Sequence, residues 1–503
     1  MAKRKNIIFY FSDQQRWDTV NETVTPNLMQ LAKEGTLFEN NFTCQPVCGP
    51  ARACLQTGVY ATQCGCYWNG IPLPESITPL AHYFNEAGYD TAYVGKWHLA
   101  SDRLPGIGTH CEPRRYRKRS RVSTATGGQR MCWNSPATAT TATSLTATAT
   151  SWTLPATGLT VLTTLPWNTW RADGRQTTLL PIYQPARSPT TKNDHHHYEG
   201  YKETIGRYKD YPLPPDLTFL KGDYKEMYPD YISAINRLDY NVGRLVQKLK
   251  DLGIYDDTVI IYSSDHGSHF KTRNLEYKRS CHDSATHTPL IIKGGGFDGG
   301  KAENRLTSLI DLPPPFLSLA GIPIPPSYMG KDLCQMQQTT QPLHDCVFMQ
   351  ISESQCGRAI RTDRFKYAVR TLAPTGYLKY NAGVYFEDYL YDLEKDPIER
   401  CNLIRDPRYS HVRQELKYLL LREMKNAGEA APVILPALKV RKNNERTPKE
   451  IPNHQGADML YRGCLRPFRY LHADVHVYLG ILPKRRRAVP VPRYHNHLDR
   501  PYL

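Results

Sequence analysis

The chain has 503 residues, 40% of them hydrophobic, which is enough apolar content to exclude wholesale disorder and too much length for one small core. It has no run of about 18 apolar residues, which excludes a predicted membrane span, and its opening MAKRKNIIFYFSDQQ is too poor in apolar residues for a secretory leader, so a cytoplasmic location is expected. The net charge of +16 is concentrated in residues 101–193 and 438–503, each carrying +9, so the rest is close to neutral and nucleic-acid binding is not expected.

Residues 6–12 form an apolar run ending at Asp13, which reads as a buried parallel strand presenting a polar residue at its carboxyl end. Thr25-Pro26, followed by Leu28, Leu31, Ala32 and Gly35, reads as a capped helix. Residues 78–88 repeat that pattern. A second strand over 91–94 ends in Gly95-Lys96-Trp97-His98. Ile232, Ile235, Leu238, Val242, Leu245 and Leu249 make a helical stripe that stops at Gly253. A third strand over 258–262 ends in Ser263-Ser264-Asp265-His266-Gly267. Strands alternating with helices imply a mostly parallel central sheet between two helical layers, a three-layer α/β/α fold. In such sheets sites lie beyond the carboxyl ends of strands, where Asp13, Lys96, His98, Asp265 and His266 all fall.

From about residue 310 the elements shorten. Segments 358–369 and 384–392 read as strands and 412–427 as a helix, giving a smaller C-terminal α+β subdomain. The expected division is 1–325 for the main domain, with its boundary at the Ile-Pro-Ile-Pro-Pro stretch, 326–437 for the subdomain, and 438–503 for a basic tail. The run Lys484-Arg485-Arg486-Arg487 in that tail reads as a solvated extension. The 13 cysteines are an odd number without zinc-ligand spacing. Cys64 and Cys66 are close, but C-x-C alone is a weak signal, and reduced, mostly buried thiols are expected.

Cys48-Gly49-Pro50-Ala51-Arg52 is the sharpest local signal. Read plainly, it is a turn with an exposed thiol whose pKa a nearby guanidinium can lower. Lys96 and His98 stand two apart on an extended strand end, so both point to one side. His269 and His282 are weaker candidates, with a structural role equally open.

The string C-x-P-x-R, its continuation Ala-Cys-Leu-Gln-Thr-Gly, the upstream SDQQR, the downstream GKWH and the later SDHG resemble, in order, the motifs of the formylglycine-dependent (type I) sulfatases of the alkaline-phosphatase-like superfamily. The resemblance covers roughly residues 5–100 and 194–436. It implies an alkaline-phosphatase-like fold and hydrolysis of sulfate monoesters, carbohydrate or aryl. Cys48 would be converted to formylglycine (3-oxoalanine) by a formylglycine-generating or an anaerobic sulfatase-maturing enzyme. Its hydrate would be the nucleophile, a geminal diol that can release sulfate without a water attacking the enzyme. One hard divalent cation, calcium or alternatively magnesium, would be held by Asp13, Gln14, Asp265 and His266 with the converted Cys48. Gln14 and His266 replace the commoner Asp and Asn, which makes a less negative cage. Arg52 would hold the diol oxygen, Lys96 and His98 the sulfate and nucleophile, and Lys278, in Leu275-Glu276-Tyr277-Lys278, the sulfate and the leaving oxygen. Phosphonate monoester and phosphodiester hydrolases of the same superfamily share such a site and stay open as an alternative; rates on an aryl sulfate against an aryl phosphonate separate them.

Residues 104–193 leave the family pattern. From 113 to 172 there is no Asp or Glu, while Thr and Ala dominate, which is no pattern for a charged-outside, apolar-inside element. An out-of-frame translation accounts for this. QRMCWNSP can be encoded so that a shifted frame spells ADVLEFT, and WTLPATGLTVLTTLPWNTW at the same offset admits DFTGYRVDCLDDFALEYL. SPTTKNDHHH is close to a shifted EPHHQNDHHH, where the family carries a sulfate-binding histidine. His195, His196 and His197 follow this block as loop or site residues. On this account the chain lacks a roughly ninety-residue block of its main domain, and an inactive product of a damaged gene stays open as a second alternative. The coding DNA across residues 100–195 is expected to show two compensating shifts; an intact frame refutes the idea.

Overall fold

The computed structural model describes residues 4–99 and 204–438, except positions 90, 92, 95, 205, 374 and 375, together with Tyr198 and the backbone of three short strands between 143 and 183. Apart from those strands the atypical block lies outside the described residues, as do His195, His196, His197 and the tail after Leu438.

The strands in chain order are β1 (Asn6–Ser12), β2 (Thr36–Phe38), β3 (Asn41–Phe42), β4 (Tyr93–Val94), β5 (Thr143–Leu145), β6 (Ser151–Thr153), β7 (Ile182–Tyr183), β8 (Thr258–Ser264), β9 (Leu290–Lys293), β10 (Lys301–Glu303) and β11 (Thr307–Ser308). Seven form one sheet in the order β10-β2-β9-β8-β1-β7-β4. Most neighbours are parallel, while β9 runs antiparallel to both β2 and β8.

Period-two alternation sends β1 to both sides of the sheet. Ile7, Phe9 and Phe11 face a core shared with helix α2 (Cys48–Thr57) and with helices Leu80–Glu86 and Pro313–Leu319. Ile8 and Tyr10 face the opposite core, with α1 (Pro26–Glu34) and the long helix Tyr224–Asp251. The expected three layers are present, and the near-continuous apolar run of β1 follows from burial on both faces.

Helix α1 departs from its sequence reading at both ends. Thr25 occupies the N-cap but its side chain does not cap; the hydroxyl donates to the Thr19 and Asn21 carbonyls instead. The exposed amides of Asn27 and Leu28 are taken by the Asp239 carboxylate of the long helix, at 3.1 and 2.7 Å. Gly35 follows the helix with a negative φ of −116°. Its requirement is close approach: a Cβ there would lie 2.4 Å from the Ile292 carbonyl oxygen.

A second sheet, in the order β12 (Val347–Ile351), β13 (Gly357–Arg361), β14 (Phe365–Arg370), β15 (Val384–Asp392) and β16 (Val433–Leu435), is antiparallel except for its last pair. The segment 358–369, which reads as strand throughout, is a hairpin, because the chain reverses between Arg361 and Phe365. Leu416, Leu420 and Met424 of helix Ser410–Asn426 cover one face with Phe348, Ile360 and Tyr367. The other face sets Val347, Met349 and Ile351 against Phe42, Cys281 and Leu306 of the larger domain. Leu333, Met336 and Leu343 still belong to the first core and Cys346 to the second, beyond the Ile-Pro-Ile-Pro-Pro stretch. No helix among the described residues is long and apolar enough to cross a membrane.

Gly35→Ala tests the close approach of α1 to β9. The added methyl forces a backbone shift, with an expected destabilisation of about 1–3 kcal/mol read from the urea denaturation midpoint. An unchanged midpoint would show that β9 moves away without cost.

Candidate active site

Two parallel strands set the level of the site. β1 pairs with β8 residue for residue, from Asn6 opposite Thr258 to Ser12 opposite Ser264. Asp13 and Asp265, the next residues, therefore leave neighbouring strands side by side, and both are fully buried. The turn after Asp13 is constrained: Gln14 has φ +62°, a left-handed conformation uncommon outside glycine. Four bonds hold it there, one of them from its side-chain nitrogen to Ser268 Oγ at 3.2 Å. Its N–H donates to Asp265 Oδ1 at 2.8 Å, its carbonyl accepts from the Tyr231 hydroxyl at 2.8 Å, and its side-chain amide nitrogen donates to the Tyr198 hydroxyl at 2.9 Å. In SDQQR the later residues are scaffold. Gln15 donates its N–H to Ser264 Oγ at 2.9 Å, and Arg16 is buried between Asp18 and Asp216.

Cys48 is the first residue of α2 and is 3% exposed, so the expected exposed thiol on a turn is instead a buried group on the first turn of a helix. Four residues on, Arg52 points back to the strand ends. Its Nη2 lies 2.9 Å from Asp13 Oδ2 and 3.1 Å from Asp265 Oδ2. Lys96 Nζ lies 2.6 Å from the same Asp13 oxygen. Lys278 Nζ approaches from the opposite end, 2.7 Å from Cys48 Sγ and 3.0 Å from His266 Nε2. His266 Nε2 is also 3.2 Å from Cys48 Sγ. His266 Nδ1 faces the Gly267 carbonyl at 2.9 Å, which places a ring proton on Nδ1 and turns Nε2 towards Cys48.

His98 does not continue an extended strand from Lys96. Its φ is +58°, so the backbone turns left-handed there, yet the imidazole still interacts with Cys48. The weaker histidines stand elsewhere. His269 Nε2 bonds the Lys278 carbonyl at 3.0 Å, and His282 Nε2 the Tyr391 hydroxyl at 3.1 Å. Burial pushes His269 down to about 3 and His282 also downward, so both are neutral supports.

The charges explain one another. Burial alone would raise Asp13, but Lys96, Arg52, Lys278 and His266 hold its carboxyl well below the usual range. Asp265 goes the other way, pushed up to about 6 by burial and by the charge on Asp13. The Cys48 thiol is drawn well below its ordinary range by Lys278, Lys96 and His266, against burial and Asp13. Burial and the Lys96 charge push His98 down.

The donor atoms of Asp13, Cys48, Asp265 and His266 all lie within 4.8 Å of one another. Oxygen and nitrogen donors at about 2.3–2.6 Å from a common centre have separations of this size, so the set fits one divalent cation. Gln14 adds an amide whose nitrogen is committed, leaving its oxygen as donor. An oxygen-bearing group at position 48 would find the Lys278 ammonium where the sulfur now does.

Sequence motifs miss Tyr231, Asn69, Glu353 and Arg279. Asn69 Oδ1 accepts from the Gly49 N–H at 2.8 Å, and Asn69 is in turn held by Glu353. Tyr231 lies 217 residues from the loop it fixes, a separation that leaves no local pattern.

The sulfatase family profile matches residues 5–322, and a second, described as N-sulphoglucosamine sulphohydrolase, C-terminal, matches residues 274–426. The chain is 27% identical over 471 residues to the uncharacterized sulfatase YidJ of Escherichia coli strain K12, covering 83% of this chain and 87% of the relative. It is 23% identical over 519 residues to an N-acetylglucosamine-6-O-sulfatase of Bacteroides thetaiotaomicron, covering 86% and 88%. A structure solved in complex with its substrate D-glucosamine-2-N,6-O-disulfate shares the fold, with a TM-score of 0.67, 20% identity, and coverage of 86% of this chain and 99% of that one. The chain belongs to the sulfatase family, the type I sulfatases of the alkaline-phosphatase-like superfamily, and is a sulfuric ester hydrolase.

Proposed function

We propose that the chain hydrolyses sulfate monoesters of saccharides, using position 48 after conversion of its cysteine to formylglycine, beside one bound calcium ion. The observation that carries this reading is the convergence of Lys278, His266 and His98 on Cys48 Sγ, within a C-x-P-x-R string at the start of a helix. The sulfur stands in for the oxygens of the converted residue. The saccharide preference draws support from the N-acetylglucosamine-6-O-sulfatase among the relatives.

A formylglycine here supplies a geminal diol, one hydroxyl to attack sulfur and the other to undo the resulting bond without an attacking water. Asp13, Gln14, Asp265 and His266 would hold the cation, which supplies positive charge that acidifies the attacking hydroxyl; magnesium is the alternative ion. The chain's own residues account for the rest. Arg52 and Lys96 neutralise Asp13 and bring positive charge to where the sulfate anion must sit. His98 and Lys96 bind sulfate oxygens. Lys278, whose ammonium faces Cys48, would stabilise and protonate the departing alkoxide.

Three measurements test the reading. Cys48→Ala is expected to abolish turnover of 4-nitrophenyl sulfate, and Cys48→Ser to come close, unless the maturation enzyme accepts serine. In active enzyme the peptide around position 48 should show the mass loss of an aldehyde replacing a thiol; a plain cysteine there removes formylglycine from the mechanism. Asp13→Ala and Asp265→Ala should lose bound metal by elemental analysis and activity together, and retained metal would relocate the cation.

A further inference from the structure

Helix α2 begins at Cys48, and its N-cap, Val47, has no side-chain acceptor for the amides of the first turn. The Gly49 N–H is satisfied from a distance, by Asn69 Oδ1 at 2.8 Å. Asn69 is gripped by one carboxylate: its backbone N–H donates to Glu353 Oε1, and its side-chain nitrogen to Oε2 at 3.2 Å. The same Oε2 is ion-paired with Arg279 Nη2, while Arg279 Nη1 lies 2.8 Å from Glu276. Arg279 follows Lys278 directly. Its N–H donates to the Pro46 carbonyl at 3.2 Å, and its own carbonyl accepts from Ser354 Oγ at 2.8 Å.

Two features separate this network from an ordinary surface ion pair. The side chains are 5% exposed at Glu353 and 15% at Arg279, so the charges are desolvated and each depends on the other. Both residues also have left-handed backbones, φ +66° and +71°, which persist in non-glycine residues only where the surroundings over-determine them. Glu353 comes from the C-terminal sheet just after β12, whereas Asn69 and Arg279 belong to the larger domain.

We infer that Glu353 is a positioning residue of the reaction centre: through Asn69 it sets the first turn of the helix that carries position 48, and through Arg279 the segment that carries Lys278. One carboxylate from the second domain thereby fixes the distance between the nucleophile's position and the ammonium that faces it. The structural half of this inference stands by itself; its catalytic half rests on the sulfatase reading.

The test uses the full chain and two variants. In hydrogen–deuterium exchange, Glu353→Gln should speed exchange in peptides covering both 45–56 and 272–282, and Asn69→Ala in the first alone, with the sheet strands unchanged. In turnover of aryl sulfates, Glu353→Gln should lower kcat by about 10- to 100-fold with KM nearly constant, as expected for a small misplacement of reacting groups. The loss should be larger for phenyl sulfate than for 4-nitrophenyl sulfate, because a poorer leaving group depends more on Lys278. Unchanged exchange in both peptides overturns the inference, as does faster exchange across the whole protein with equal loss on both substrates. If Glu353→Gln does not fold, Asn69→Ala, which leaves the ion pair in place, decides the helix half. A wild-type chain inactive on every sulfate ester would count against the sulfatase reading, and the exchange arm would still decide the network.

Discussion

Burying two carboxylates side by side in the floor of a protein is costly, and the architecture of this centre follows from how that cost is met. Asp13 and Asp265 have no exposure, so bulk solvent does not stabilise their charges. Arg52 spans the two with one guanidinium nitrogen, and Lys96 adds a second cation to Asp13. Removing one member of such a group strands a charge of the opposite sign, which for buried pairs costs about 3–5 kcal/mol. The constellation is therefore cooperative. The same cations that make Asp13 tolerable inside the protein would attract the sulfate anion of the proposed reaction, and the carboxylates that hold Arg52 in place would offer oxygens to a divalent ion.

The layered fold and the strand-end residues were readable because each leaves a local trace. A run such as Asn6–Ser12 closing on Asp13, or Thr258–Ser264 closing on Asp265, declares both the strand and its polar terminus. Resemblance to a family then joined Asp13, Cys48, Lys96, Asp265 and Lys278, which no periodicity could bring together, and the structure gathers them at one site, Lys96 against Asp13 and Lys278 against Cys48. Conformation was harder. Cys48 read as an exposed turn because C-G-P looks like one, yet the proline sits in the first turn of a helix, where it costs nothing. Gly35 read as a helix stop, and the helix does stop there, but a strand carbonyl where its Cβ would lie is what forbids a side chain.

What stayed unreadable is long-range. Asp239 takes the amides of α1 across more than two hundred residues of sequence, Tyr231 fixes the Gln14 turn, and Glu353 reaches Asn69 from the other sheet. Each is an ordinary-looking residue in its own neighbourhood. None belongs to a spacing pattern, because the partner it serves belongs to a different element. The two sheets are also more interdependent than a boundary at a proline-rich stretch suggests. Phe42, just upstream of the Cys48 helix, packs among β12 residues, so the second sheet shares one face with the larger domain while keeping a core of its own on the other.

The matched termination of β1 and β8 carries an evolutionary corollary. Seven consecutive residues pair without a bulge, and both strands release their aspartates at the same rung. A single-residue insertion or deletion in either strand would swing its carboxylate to the far side of the sheet and leave Arg52 with one partner. Relatives of this protein should therefore vary freely in the connections that leave the strands and scarcely at all in strand length, so that indels map the loops and their absence maps the two central strands.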